Sequence, residues 1–119
     1  MEFAISRVKR GVVVKQRHKR LLKKTKGFWG QRSNIFKRAK ETLLRSMAFA
    51  FKGRKLKKRE MRGLFITRIG AASSAQGLPY NKFIHGLKQA KVELNRKMLS
   101  QLAIFEPEAF SLLVNLAKA

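Results

Sequence analysis

The sequence predicts an all-α protein, with a long basic N-terminal helical arm followed by a small C-terminal helical domain. Three observations predict it. Apolar residues recur every three or four positions along most of the chain beyond residue 35, and no segment alternates with period two over a useful length. Charge is lopsided: the 119 residues carry 29 Lys+Arg against 6 acids, all Glu, for a formal net charge of +23. Of that, +19 falls on residues 1–62 and +4 on residues 63–119. Finally, there is no Cys, which removes disulfide scaffolds, zinc ribbons and thiol nucleophiles. The arm is assigned to residues 1–58 and the compact domain to 59–119.

Taken in order, Ser6-Arg7-Val8-Lys9-Arg10-Gly11 is a basic lead-in whose glycine permits a close turn. Val12-Val13-Val14 follows. Residues 15–26 then hold Lys15, Arg17, His18, Lys19, Arg20, Lys23, Lys24 and Lys26 around Leu21-Leu22. Like charges at i,i+4 (Lys15/Lys19, Lys19/Lys23, Arg20/Lys24) oppose a helix here, so one is expected only when a polyanion neutralises them. Gly27-Phe28-Trp29-Gly30 is a break, two glycines bracketing two aromatics. Ser33 or Asn34 is placed to cap the next helix.

From Ile35 the spacing of Ile35, Ala39, Leu43, Met47 and Ala50 makes an apolar face, while Arg38, Arg45 and Lys52 repeat every seven residues on another. Gly53 is a candidate bend. Residues 54–62 are nearly solid charge. Met61, Leu64, Phe65, Ile69 and Ala72 resume the stripe, which closes at Gly77. Run as one straight helix, residues 33–76 would reach roughly 65 Å, longer than a small domain is wide.

Three short helices should follow. Tyr80, Phe83, Ile84 and Leu87 take i, i+3, i+4, i+7 spacing after Pro79, a residue suited to a helix start. Leu94, Met98, Leu102 and Phe105 form the next stripe. Pro107 opens the last helix, where Phe110, Leu113, Val114 and Ala117 repeat the spacing and Glu106 and Glu108 sit at the positive helix end.

Catalysis finds little support. His18 lies among cations with no acid beside it in sequence, His85 has no evident partner, and neither a phosphate-binding glycine loop nor a dinucleotide fingerprint is present. No cofactor or metal is expected. The longest uncharged stretch, 69–81, falls short of the roughly 20 apolar residues of a membrane span, and residues 3–5 are too brief for a secretory hydrophobic region. A soluble partner of a polyanion is therefore expected, since self-repulsion this strong opposes compaction. Lys and Arg meet phosphates as point charges and as bidentate forks. Phe28 and Trp29 can stack on unpaired bases or anchor the arm to its own helix. Composition alone leaves a histone-like DNA-compacting protein and a membrane-active basic amphipathic segment as rivals.

The ordered segments Ser6-Arg7-Val8-Lys9-Arg10-Gly11, Arg17-His18-Lys19, Lys26-Gly27-Phe28-Trp29-Gly30-Gln31-Arg32-Ser33 and Lys57-Lys58-Arg59 narrow this choice. So do Arg62-Gly63-Leu64-Phe65-Ile66-Thr67-Arg68-Ile69, Tyr80-Asn81-Lys82-Phe83-Ile84-His85-Gly86-Leu87 and Leu94-Asn95-Arg96-Lys97-Met98-Leu99. In this order and spacing the chain resembles the bacterial-type large-subunit ribosomal protein L-twenty family from Ser6 onward. Phe65 stands where that family commonly has Trp, and Gly70 where Asn is usual. Met1 to Ile5 extend beyond the usual start. This extension and the tail from Asn95-Arg96-Lys97 to Glu106-Pro107 are similar to mitochondrial members, which favours the mitochondrial matrix, with bacterial cytoplasm or plastid as alternatives.

The resemblance implies a structural, non-enzymatic protein that binds large-subunit (23S-type) ribosomal RNA directly and supports subunit assembly. Neighbouring ribosomal proteins are its other partners; no membrane, small-molecule substrate or homo-oligomer is implied. A histone-like protein remains the alternative. The candidate RNA-binding residues are Arg7, Lys9 and Arg10 in the lead-in, then Lys15, Arg17, His18, Lys19, Arg20, Lys23, Lys24 and Lys26, with Trp29 and Arg32 at the break. On the long helix they are Arg38, Arg45, Lys52, Arg54, Lys55, Lys57, Lys58, Arg59 and Arg62. In the C-terminal domain they are Lys82, His85, Asn95, Arg96 and Lys97. The arm is expected to be disordered when free and to fold on RNA.

Overall fold

The computed structural model describes residues 10–119. Five helices occupy them: α1 (Gly11–Lys24), α2 (Phe36–Ala75), α3 (Tyr80–Gln89), α4 (Arg96–Phe105) and α5 (Pro107–Lys118), with a 3-10 turn at Gly30–Ser33. No strand occurs among the described residues, and the all-α class holds. The lead-in with Arg7 and Lys9, and the extension before it, lie outside the described residues. The chain forms two compact units, one ending at Gly53 and the other Arg54–Ala119, so that their boundary falls inside α2.

In the first unit, α1 starts at Gly11 and takes in the three valines ahead of the basic run. The helix is formed despite its like-charge pairs, and its packing explains how. Leu21 and Leu22 are half-buried and Thr25 is fully buried. Thr25 closes the helix, its N–H donating to the Leu21 carbonyl and its hydroxyl to the Leu22 carbonyl, both at 3.2 Å. The His18 ring stacks on Phe36 with centroids 3.8 Å apart, tying α1 to the first turn of α2. The cations meanwhile stay at the surface, where water and salt screen them.

Gly27 and Gly30 have φ of +90° and +62°, a backbone region that side chains with a Cβ avoid. The aromatic pair between them is thereby split: Phe28 is half-buried, whereas Trp29 is 93% exposed. The expected cap at Ser33 or Asn34 is replaced. Ser33 donates back to the Gly30 carbonyl at 2.9 Å, closing the 3-10 turn, and α2 begins later, at Phe36.

Within the first unit, the apolar face expected along α2 is buried over two turns only. Ala39 is fully buried and Leu43 half-buried, while Ile35, Met47 and Ala50 are exposed. From 47 to 64 no residue is even half-buried, and the helix runs through Gly53 without interruption.

In the second unit, α2 ends as expected at Gly77, whose φ is +81°. Gly77 N–H donates to Ser74 O and Leu78 N–H to Ser73 O, both at 3.0 Å, the paired bonds of a Schellman stop. Leu78 thereby enters a core of Ile69, Leu78, Phe83, Leu87, Leu99, Phe110 and Val114. Phe83 and Phe110 meet at 5.2 Å with a 45° tilt. The α3 stripe matches its spacing, with Phe83 and Leu87 buried, although Pro79 is the cap of the helix and not its first residue. Phe110 and Val114 of α5 are buried as their spacing predicts.

The α4 register differs. Leu99 and Ser100 are its buried residues, with Leu102 and Ala103 packed against the core; Met98 is 47% and Phe105 77% exposed. Leu99, Leu102 and Ala103 offer a competing apolar face at helical spacing, and that face meets the core; Asn95 caps the helix, its Oδ1 accepting the Met98 N–H at 2.8 Å. α3 and α5 pass closely at Gly86, where a Cβ would lie 2.8 Å from the Ala117 Cα and closer still to its carbonyl oxygen.

Candidate nucleic-acid interface

Within the first unit, α1 and the start of α2 flank a cleft of about 340 Å³ lined by Arg17, Arg20, Leu21, Lys24, Phe36, Lys40 and Leu43. Helical spacing puts Arg17, Arg20 and Lys24 on one face of α1, while Phe36, Lys40 and Leu43 take the matching face of α2. Four cations thus converge over an apolar floor. Three of them are among the residues expected from the sequence. Lys40 is not, although its position four residues after Phe36 and three before Leu43 is the signal that it shares their face. The geometry suits an anion bound by several N–H donors, with the floor available to a ring.

The other expected residues of α1, namely Lys15, Lys19 and Lys23, are exposed, and His18 is half-buried through its stack on Phe36. Arg10, Lys26 and Arg32 are exposed around the helix ends and turn. Trp29 offers its faces to solvent, which favours base stacking over self-packing.

Along α2, Arg38, Lys52, Arg54, Lys55, Lys57, Lys58, Arg59 and Arg62 are all exposed. Arg45 is exposed too and pairs with Glu41 one turn earlier at 3.2 Å. Such a surface pair contributes about 0–1 kcal/mol, little enough for a phosphate to displace the carboxylate.

The second unit separates its expected residues into two groups. Lys82 and His85 share a groove of about 560 Å³ with Asn81 and Lys118, between α3 and the end of α5. Lys118 is not marked out by the sequence pattern; its Nζ donates to the Gln76 carbonyl at 2.7 Å. Asn95, Arg96 and Lys97 lie at the start of α4 instead. Asn95 is occupied as the cap, and Arg96 Nε donates to the Tyr80 hydroxyl at 2.9 Å, joining the starts of α3 and α4. Lys97 is exposed. No helix among the described residues is long and apolar enough to cross a membrane.

The family model for ribosomal protein L20 matches residues 7–113. The chain is 51% identical to the large ribosomal subunit protein bL20 of Caldanaerobacter subterraneus subsp. tengcongensis. Identity to the proteins of the same name is 50% for Thermoanaerobacter sp. (strain X514) and 52% for Clostridium novyi. Each match spans 114 residues and 96% of both chains.

Proposed function

The chain belongs to the ribosomal protein L20 family, a structural and non-enzymatic family, and from that membership we propose that it binds large-subunit ribosomal RNA and supports assembly by neutralising and organising RNA helices. The observation that carries this reading is the stretch 47–64 of α2, where no residue is buried and Lys52, Arg54, Lys55, Lys57, Lys58, Arg59 and Arg62 are carried at the surface. Seven exposed cations on one helix attract phosphate backbones, and binding there releases condensed counterions. Phosphate contacts of this kind position the protein more than they specify a sequence. The α1/α2 cleft adds a local anion site, and Trp29 a stacking platform. In the second unit, Lys82 and His85 on one groove and Lys97 at the start of α4 supply the contacts that distinguish one RNA shape from another.

The relatives are bacterial, which favours the bacterial cytoplasm over the mitochondrial matrix expected from the likeness of residues 1–5 and 95–107 to mitochondrial members. Partners are the ribosomal RNA and adjacent proteins of the large subunit, with the chain present as a single copy and apart from membranes. Sedimentation tests this. The protein should co-migrate with large subunits, stay bound through DNase treatment and be released by RNase. Release by DNase, with no large-subunit peak, would favour the histone-like alternative.

A further inference from the structure

Tyr80 opens α3 and Arg96 opens α4, and the Arg96 Nε–H donates to the Tyr80 hydroxyl at 2.9 Å, joining residues 16 apart. Both residues are half-buried, and the Tyr80 ring packs against the C-terminal core, which makes its hydroxyl a fixed acceptor at the rim of that core. The kind of acceptor matters. Arg45 on α2 pairs with the Glu41 carboxylate, which offsets its charge and competes with a phosphate for the guanidinium. Among the described residues, no carboxylate lies within ion-pair distance of Arg96. A neutral hydroxyl holds the guanidinium plane and leaves its charge whole. With Nε engaged, the N–H groups of Nη1 and Nη2 remain, and they form the end of the fork that grips two phosphate oxygens side by side.

We propose that Tyr80 is a positioning residue for RNA binding: its hydroxyl presets Arg96 so that Nη1 and Nη2 meet one phosphate of the RNA as a bidentate pair. The inference rests on the ribosomal reading above and assigns within it a role to a side chain that does not itself touch RNA. A free arginine side chain loses much rotamer freedom when it binds. One already held by Tyr80 has lost part of that freedom on folding, so the hydrogen bond is read out as affinity. Charge alone would not need this restraint; a bidentate grip does, because the fork must lie in the plane of the two oxygens.

The test is a double-mutant cycle in the full chain. Binding is read by anisotropy on the large-subunit RNA fragment that the chain protects from nuclease. Tyr80→Phe keeps the ring and removes the hydroxyl. It should leave the melting temperature nearly unchanged and weaken binding by about two- to tenfold, the effect of freeing one long side chain. The salt slope should stay the same, since no charge is lost. Arg96→Ala should weaken binding further and flatten the slope by about 0.7–0.9, one phosphate contact. In the Arg96→Ala background, and in the Arg96→Lys background where charge is kept without a fork, Tyr80→Phe should have no added effect. A Tyr80→Phe loss that persists without Arg96 would make Tyr80 a direct RNA contact. No loss, or a loss that only follows a lower melting temperature, would make the bond structural. Each of these overturns the proposal and leaves the ribosomal reading standing. A full chain that protects no large-subunit RNA would overturn both.

Discussion

Ala39 and Ile69 are both fully buried on α2, but what surrounds them differs. In the unit that holds Ala39, beyond Thr25 and Ala39 themselves, the apolar side chains Leu21, Leu22, Phe36 and Leu43 are only half-buried. Ile69 instead belongs to a closed core of seven buried side chains from α2, α3, α4, α5 and the turn at Leu78. Charge runs the other way, with +19 on residues 1–62 and +4 on residues 63–119. A segment whose charges must be left free for a polyanion cannot also spend its faces on a core, because burying an unpaired cation is prohibitive. The C-terminal unit closes its apolar side chains on one another. The two regions divide stability from charge.

Mutations that remove core volume should strike the two regions unequally. Leu87→Ala, at a nearly buried site, should destabilise the C-terminal unit by about 2–5 kcal/mol. Leu43→Ala, at a half-buried site, should cost clearly less. Thermal melts of both variants check this, and equal shifts would erase the distinction. Gly86→Ala adds a single methyl where α5's Ala117 backbone already lies, and should cost about 1–3 kcal/mol as an overpacking change. Gly53→Ala, with open space around it, should be neutral or slightly stabilising.

Trp29→Ala should leave the melting curve unchanged while weakening RNA binding by about 1–3 kcal/mol, the usual value of one base-stacking contact. Trp29→Phe should retain most of the affinity. A change in melting temperature without a change in affinity would return Trp29 to a packing role. A further small effect belongs to Lys91. Its φ is +58°, and it occupies the left-handed position of a second Schellman stop, with Val92 N–H donating to Leu87 O at 2.9 Å. Lys91→Gly should stabilise by about 0.5–1 kcal/mol, the relief of a left-handed Cβ offset partly by glycine's chain entropy.

The helices with clean periodicity are legible from residues alone. Phe83 and Leu87, and Phe110 and Val114, are buried where their spacing puts them, and Gly77 stops α2 where the sequence predicts. The α4 stripe is misplaced by periodicity because Met98 and Phe105 are apolar for a surface and not for the core; spacing cannot tell these apart when Leu99 and Ala103 offer a competing face. The extent of α1 is hidden for another reason. Local charge repulsion argues against the helix, and the His18–Phe36 stack that holds it joins residues 18 apart. Lys40 and Lys118 look like isolated lysines in the sequence, and only the packing of α1 on α2 and of α5 beside α3 gives them neighbours.

The central claim, that charge for RNA binding resides in the N-terminal region and discrimination in the folded C-terminal unit, is tested most directly by salt. Deleting residues 1–26 removes ten Lys and Arg. For every phosphate no longer neutralised, the dependence of log affinity on log salt should flatten by about 0.7–0.9. Anisotropy titrations across a salt series, with the full chain and the truncated one, each against a cognate ribosomal fragment and a scrambled RNA, supply the four slopes. The account predicts weaker binding and a shallower slope for the truncated chain on both RNAs, with preference for the cognate fragment largely retained. A truncated chain that keeps the full slope, or that keeps its affinity and loses its preference, would contradict it.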